Sequence, residues 1–308
     1  MNGVQVKTKR TAPRQTSGAY ARNSLRNLGV ETLGIFYQHR VDPATPIEVV
    51  AETCGELIRE GKILHWGMCE VNAETIRRAH KVCPVTAIQS EYHFMHRAVE
   101  ENGVLALCEE LGIGFVPYSP LNRGFLGGMI NEYTRFDTAN DNRQTLPRFQ
   151  PEAIRANTRI VEVLNAFGRT RGITTAQVAL AWLLNRRPFI VPIPGTTKLS
   201  HLEENLRACD IVFTSEEVTE LERPWPQFRS WEAAMTLCRN RNPEIGRAYE
   251  KGCLLYDGRR LAVGLQRTQR EYHANRGTGQ FRRGRHGAHR FTGAHLSRRP
   301  RLVFYQNP

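Results

Sequence analysis

The sequence predicts an α/β protein of consecutive strand–helix units, either a (β/α)8 barrel or a doubly wound sheet, and three observations predict it. From about residue 33 to 210, short apolar runs alternate with amphipathic stretches, the pattern of repeated βα units and a parallel sheet. The runs are uniformly apolar rather than alternating, so each strand is covered on both faces. Finally, 308 residues that are 40% hydrophobic and 24% charged can bury one large core or two ordinary ones, which excludes a chain disordered throughout.

Five strands are read at 33–37, 63–66, 85–88, 113–116 and 189–191. Between them the helices carry their own punctuation. Thr45 caps the first, with Pro46 at its opening position; Ile47, Val50, Cys54, Leu57 and Ile58 form one stripe, and Gly61 ends it. Asn72 opens the second, ahead of Ile76 and Ala79, while Val104, Leu107, Cys108 and Leu111 line a third that stops at Gly112. Thr174 with Gln177 and Ser200 with Glu203 have capping-box spacing. The first pair precedes Val178, Ala181 and Trp182, and the second precedes Leu202, Leu206 and Cys209. Residues 122–150, rich in Gly, Asn, Asp and Thr, form a long loop, which inside a compact domain points to function. After Glu222 the pattern stops. A helix is expected within 232–249, and residues 258–308 are expected to be mostly disordered.

Charge divides the same way. Residues 1–30 carry six basic and no acidic side chains, 31–222 carry 19 and 25, and 223–308 carry 18 and five. The chain's net charge of +13 therefore equals that of its last 86 residues, an Arg-rich tail, while the body is mildly acidic. Seven cysteines, an odd number with no C-x-x-C pair, disfavour a disulfide framework and a zinc ribbon and fit a reducing compartment. The N-terminus has no apolar core of signal-peptide length, and no window is long and apolar enough to span a membrane. A cytoplasmic protein without membrane contact is expected.

In either βα architecture the chemistry sits at the carboxyl ends of strands. Five segments directly follow the strand runs: 38–40, 67–70, 89–92, 117–124 and 192–198. Their strings, Tyr37-Gln-His39-Arg-Val-Asp42-Pro43, Gln89-Ser-Glu-Tyr92, Pro117-Tyr-Ser-Pro-Leu121 with Arg123-Gly124, Leu146-Pro-Arg-Phe149, Gln177-Val-Ala-Leu-Ala-Trp-Leu183 and Ile193-Pro-Gly-Thr-Thr-Lys198 ending in Leu202-Glu-Glu-Asn205, come in one order over roughly residues 18–222. In this the chain resembles the aldo-keto reductases, in their aryl-alcohol-dehydrogenase-like and pyridoxal-reductase-like branch.

The resemblance implies a (β/α)8 TIM-barrel type, incomplete, with about five βα units readable. It also implies an NADPH-dependent oxidoreductase reducing a small aldehyde or ketone. His39 matches the histidine of the family's catalytic tetrad. Cys69, Glu70 and Gln89 match the residues that hold the nicotinamide carboxamide, with Cys69 a poorer donor than the usual Ser. Tyr118 matches the platform under the nicotinamide ring. Ser119, Leu121 and Arg123 match the pyrophosphate contacts, with Gly124 allowing close approach and Asn122, in place of a usual Gly, expected to strain the turn. Gly195, Thr196, Thr197 and Lys198, before a helix start, make an anion site that the resemblance gives to the 2′-phosphate. His201 stands where an Arg is common, so phosphate affinity is expected to depend on pH. Glu204 and Asn205 match adenine contacts.

The departures bear on activity. The family's proton-donating Tyr and its Lys and Asp come from strands before the one that ends at His39. Too little chain precedes it for three βα units. Lys7 and Lys9 stand in a Val-Lys-Thr-Lys setting like that of the family's strand-end Lys, and the Tyr and Asp have no counterpart. The expected organisation is a disordered or remnant N-terminus at 1–17, the reductase domain, N-terminally truncated, at 18–222, and the tail at 223–308. His93 and His96 lack ligands in register, so no metal is expected. The tail, with 17 Arg against one Lys, fits either RNA contact by charge and stacking or a mistranslated GC-rich reading frame. Two function classes thus stay open, an NADPH-dependent reductase with impaired turnover and an inactive remnant that binds nucleotide or nucleic acid.

Overall fold

The computed structural model describes residues 3–6, 14–137, 139–224, 254–256 and 261–263. The helix expected within 232–249, Lys7, Lys9 and the tail's Arg-rich stretch beyond 263 lie outside them. Four strands follow β1 (Gly3–Val6): β2 (Leu33–Gln38), β3 (Ile63–Cys69), β4 (Ala87–Glu91) and β5 (Gly114–Tyr118). They form one parallel sheet in sequence order. A doubly wound sheet reverses its strand order at a switch point; this sheet has none, so it winds one way, as a (β/α) barrel does.

The expected fifth strand is a sixth stave of a looser kind. The Phe115 amide donates to the Phe189 carbonyl (2.9 Å), and the amides of Val191 and Ile193 donate to Phe115 (2.9 Å) and Pro117 (3.1 Å). Pro117 of β5 has no N–H to give back to this stave, which interrupts the ladder between these bonds. In contrast, β1 joins the sheet although its four residues fall in the stretch read as remnant, with Val6 opposite Gln38. A separate antiparallel pair joins β6 (Leu254–Tyr256) to β7 (Leu261–Val263).

The connecting helices are α1 (Arg14–Leu28), α2 (Ile47–Arg59), α3 (Ala73–Val82), α4 (Val104–Leu111), α5 (Pro151–Arg169), α6 (Thr175–Leu184), α7 (Leu199–Arg207) and α8 (Ser215–Glu222). Several starts follow the expected chemistry. Asn72 accepts from the Thr75 amide at 2.8 Å, and Thr174 with Gln177 closes a full capping box. Two do not. Pro46 is itself the residue before α2, and Thr45 bonds Asp42 instead. Helix α7 begins at Leu199, so Ser200 lies inside its first turn and no side chain caps it. Its apolar stripe also departs from expectation, with Leu199 70%, Leu202 43% and Leu206 59% exposed. Residue spacing gathers these leucines on one face; no element among the described residues covers it.

Alternation along the strands separates two cores. The outer face sends Phe36, Trp66, Met68, Ile88 and Phe115 into one cluster with the helical Val50, Leu57, Ile76 and Leu107. The inner face is smaller: Tyr37, Cys69 and Ala87, flanked by Ile35 and Val116. Gly67 makes room for it. A Cβ there would stand 2.5 Å from Tyr37 Cε1 and 2.6 Å from the Ala87 carbonyl oxygen. The carbonyl belongs to the neighbouring strand and cannot yield. Gly67→Ala is therefore expected to cost about 2–3 kcal/mol through overpacking. Thermal unfolding should register this as a fall of roughly 4–12 °C in Tm, and an unchanged Tm would refute it.

Candidate active site

Ordinary strand ends release the chain into turns; the ends of β3 and β5 release it into strained ones. Glu70, Ser119, Asn122 and Arg123 have φ of +49°, +51°, +46° and +52°, and no other non-glycine residue among those described has positive φ. Asn122, expected to strain its turn, does so while fully buried. Non-glycine residues persist in this region only where their surroundings fix them, and such positions concentrate at functional sites.

The ends of β3, β4 and β5 bring Cys69, Glu70, Gln89 and Tyr118 together. Register places Cys69 beside Gln89, and Glu91 beside Tyr118. Glu70 ties the three ends. Its amide donates to the Gln89 carbonyl (3.0 Å), its Oε1 accepts from the Glu91 amide (2.8 Å), and its charge acts on the Tyr118 phenol. Burial, with the charges of Glu70 and Glu91, pushes the Tyr118 phenol far above its ordinary range. The Cys69 thiol is pushed up to about 12, chiefly by burial, with Arg40 opposing and Glu70 adding. Cys69 is therefore a neutral thiol and a weak donor, which leaves the buried Gln89 as the stronger amide partner. His39, half-buried, follows β2 by one residue, and its carbonyl accepts from Arg40 Nη1 (2.7 Å).

Beyond Tyr118 the turn folds tightly, with the Asn122 amide donating to the Ser119 carbonyl (2.7 Å) and the Gly124 amide to Leu121 (3.0 Å). Arg123 gives Nη1 to Asn142 Oδ1 (2.9 Å) and keeps a buried Nε with no partner, and Asn122 Oδ1 is likewise unmatched. On the other flank, Tyr118 bridges Ile193, and two residues on begins the exposed run Gly195, Thr196, Thr197, Lys198. It leads straight into the uncapped α7, whose first turn holds the exposed His201. Asn205 is buried in that helix, and the Glu204 carboxylate accepts from the Thr174 hydroxyl.

One set of residues here had no assigned role in the sequence. Glu91 Oε1 accepts from Arg148 Nη1 (2.7 Å) and His93 Nε2 (3.1 Å). Met95 N–H donates to His93 Nδ1 (3.2 Å), which leaves the imidazole proton on Nε2. His93, 1% exposed, is held down at about 4 by burial, with Glu91 opposing and Arg148 and His96 adding. Glu91, although burial raises it, lies well below the usual carboxylate range, because Arg148 and the His93 hydrogen bond favour its anion. The signal was present in two quoted strings, Gln89–Tyr92 and Leu146–Phe149, whose long separation hid the pairing. Among the described residues no group of three His, Cys, Asp or Glu side chains is gathered for a metal ion. None of their helices is long and apolar enough to cross a membrane.

Parallel staves wound in one direction, with strain and buried polar groups at their carboxyl ends, define a barrel-type α/β protein whose site opens at that mouth. The aldo/keto reductase family model matches residues 6–225, and the chain belongs to that family. It is 41% identical over 197 residues to a probable aldo-keto reductase 1 of Glycine max, covering 64% of this chain and 56% of that protein. The chain thus spans a little over half the length of that relative. Among solved structures, a glycerol dehydrogenase from Gluconobacter oxydans is 25% identical with a TM-score of 0.63, over 68% of this chain and 63% of its own. An aldo/keto reductase from Klebsiella pneumoniae, solved with NADP and acetate, is 25% identical with a TM-score of 0.52, over 68% and 64%.

Proposed function

We propose that this chain binds NADPH across its strand ends and carries the carbonyl-reductase chemistry of its family, with His39 supplied to that chemistry and no proton-donating Tyr identified among the described residues. The observation that carries the reading is that Tyr118 and the segment entering α7 lie on bridged parallel staves. An aromatic platform and a helix N-terminus with free N–H groups thereby flank one mouth.

The residues fit the dinucleotide. The first-turn amides of α7 have no side-chain cap, and with Lys198 they offer donors and positive charge to a phosphate. Thr196 Oγ1 accepts from the Lys198 amide (3.2 Å), which shapes that approach. His201 adds a donor in the same turn, and Glu204 and Asn205 lie one turn further, toward the adenine. The unmatched Nε of Arg123, with Ser119 and Leu121, is placed for the pyrophosphate. Gln89, with Glu70 and the weaker Cys69, would hold the carboxamide, and Tyr118 would offer its ring as a platform for the nicotinamide. When bound, NADPH supplies hydride to a carbonyl carbon. His39 orients the carbonyl oxygen of a small aldehyde or ketone, and protonation of that oxygen is the step without an evident donor.

Titration of NADPH against protein fluorescence tests this. Saturable binding is expected, weakened about three- to tenfold by Lys198→Ala at low ionic strength, with little change for NADH, because the lost charge faces the 2′-phosphate. Absence of saturation up to millimolar cofactor, or equal losses for both cofactors, would falsify the reading. Steady NADPH oxidation with an aromatic aldehyde, abolished by His39→Ala, would show that a donor exists and that turnover is not impaired.

A further inference from the structure

The stretch from Asn122 to Gln150, between β5 and α5, is pinned at two places, and both pins converge on the strained turn. Near its far end, Arg148 reaches Glu91 at 2.7 Å, each side chain only 16% exposed. Phe149, the next residue, is buried against Phe125 and Phe136 at ring separations of 6.3 and 5.6 Å. The Arg143 guanidinium lies 4.7 Å from the Phe136 ring and is fixed by Asp141, and its Nη1 donates to the Arg123 carbonyl at 3.0 Å. A continuous packed path therefore runs from Glu91 through Arg148, Phe149 and Phe136 to the backbone of Arg123. Ahead of both pins the stretch is open, with Met129 86% and Tyr133 78% exposed.

Glu91 is prepared as the fixed end. Its amide is held by Glu70, its carboxylate accepts a hydrogen bond from Nε2–H of the buried His93, and it registers beside Tyr118. A loop that held itself would need no such acceptor on the strand. Ser119, Asn122 and Arg123 keep positive φ where their surroundings hold the turn: Asn122 Nδ2 donates to Met95 Sδ at 3.2 Å, Arg143 holds the Arg123 carbonyl, and Arg148 anchors to Glu91 the stretch that carries Arg143.

We propose that Arg148 is a positioning residue for the dinucleotide: by latching residues 122–150 to Glu91 it sets the turn from Ser119 to Arg123 without touching the cofactor. This rests on the reading of an NADPH site given above. It predicts that the guanidinium's value lies in geometry, so a shorter-reaching cation should recover part of the effect and a neutral side chain none.

The test pairs NADPH titration with trypsin cleavage after the exposed Arg135, in the open part of the stretch, on wild type, R148A, R148K, E91Q and the double variant E91Q/R148A. R148A is expected to weaken NADPH about tenfold and to speed cleavage after Arg135 severalfold. R148K should restore part of the affinity, and the double variant should be no worse than R148A, since both changes open one latch. Far-UV circular dichroism identifies any variant that fails to fold, and E91Q then serves in place of R148A. Unchanged NADPH affinity in a folded R148A, against a wild type that binds, overturns the positioning role and leaves the cofactor site standing. Faster cleavage with unchanged affinity does the same, reducing the pair to a loop anchor. No saturable binding by the wild type removes the cofactor site and the positioning role together.

Discussion

Acidification from pH 7 to 4 is expected to remove about 3 kcal/mol of folding stability through His93 alone. In the unfolded chain the imidazole takes up its proton near 6.5, whereas in the folded chain, 1% exposed, it does so only at about 4. Between those values the unfolded state holds more protons, so stability falls as pH falls. Glu91 adds to the trend lower down. Its folded value is depressed below 4.5 by Arg148 and His93, so its contribution is present above the carboxylate range and is lost as pH drops through it. Arg148 and His96 face the same pocket, and both disfavour a charged His93. Thermal unfolding followed from pH 7.5 to 4 should show Tm falling by roughly 6–12 °C. His93→Gln, which keeps a donor toward Glu91 but does not titrate, should flatten the part between 6.5 and 4. Parallel curves for wild type and variant would mean that His93 is not the group responsible.

That pocket also marks where the sequence stops being readable. Strands β2 to β5 were legible because each is covered on both faces, so the apolar runs announce themselves without a period. The sixth stave was legible as a run yet not as a loose ladder, since the donor missing from it is that of Pro117 on the neighbouring strand β5. Strand β1 was not legible at all. Gly3-Val-Gln-Val6 carries too little apolar surface to be recognised apart from its neighbour β2. Helix starts split in the same way. Asn72 and Thr174 cap as spaced, and Thr214 with Glu217 forms a capping box that spacing alone would have found. The Ser200 spacing was satisfied in sequence and unused in space, because α7 starts two residues earlier than that cap would set, with Lys198 at the cap position. In the site, residues read from strand ends do gather: Cys69, Glu70, Gln89 and Tyr118 meet where register requires. The Glu91–Arg148 pair was hidden because it joins a strand to a distant loop, and nothing in local spacing encodes which basic residue of a loop will return to which carboxylate.

The same strand end anchors a second network, and breaking it should destabilise the chain without emptying the site. Glu222, the last residue of α8, accepts from Trp182 Nε1 (2.8 Å) and Arg186 Nη1 (2.9 Å) and lies 3.2 Å from Arg97 Nη1. Both guanidiniums lie over the Trp182 ring, at 4.9 and 5.2 Å, and share Glu100, which also accepts from the Tyr92 phenol at 2.5 Å. Glu222→Ala strands the buried indole N–H and leaves two arginines to one carboxylate. Loss of the acceptor costs the desolvation of its donors more than the bonds themselves. Arg97 is 11% and Arg186 23% exposed, so water relieves only part of this. The expected loss is about 2–4 kcal/mol, below the figure for a fully buried pair. Glu222→Gln keeps an acceptor for Trp182 and should lose about half as much. Chemical denaturation measures both variants. NADPH affinity measured far from the transition should stay at the wild-type value, because the partners of Glu222 meet the end of β4 at Tyr92, one residue beyond the strand and three from Gln89. A Glu222→Ala protein as stable as wild type, or one whose cofactor affinity falls before its fold does, would mean that the two networks are a single one.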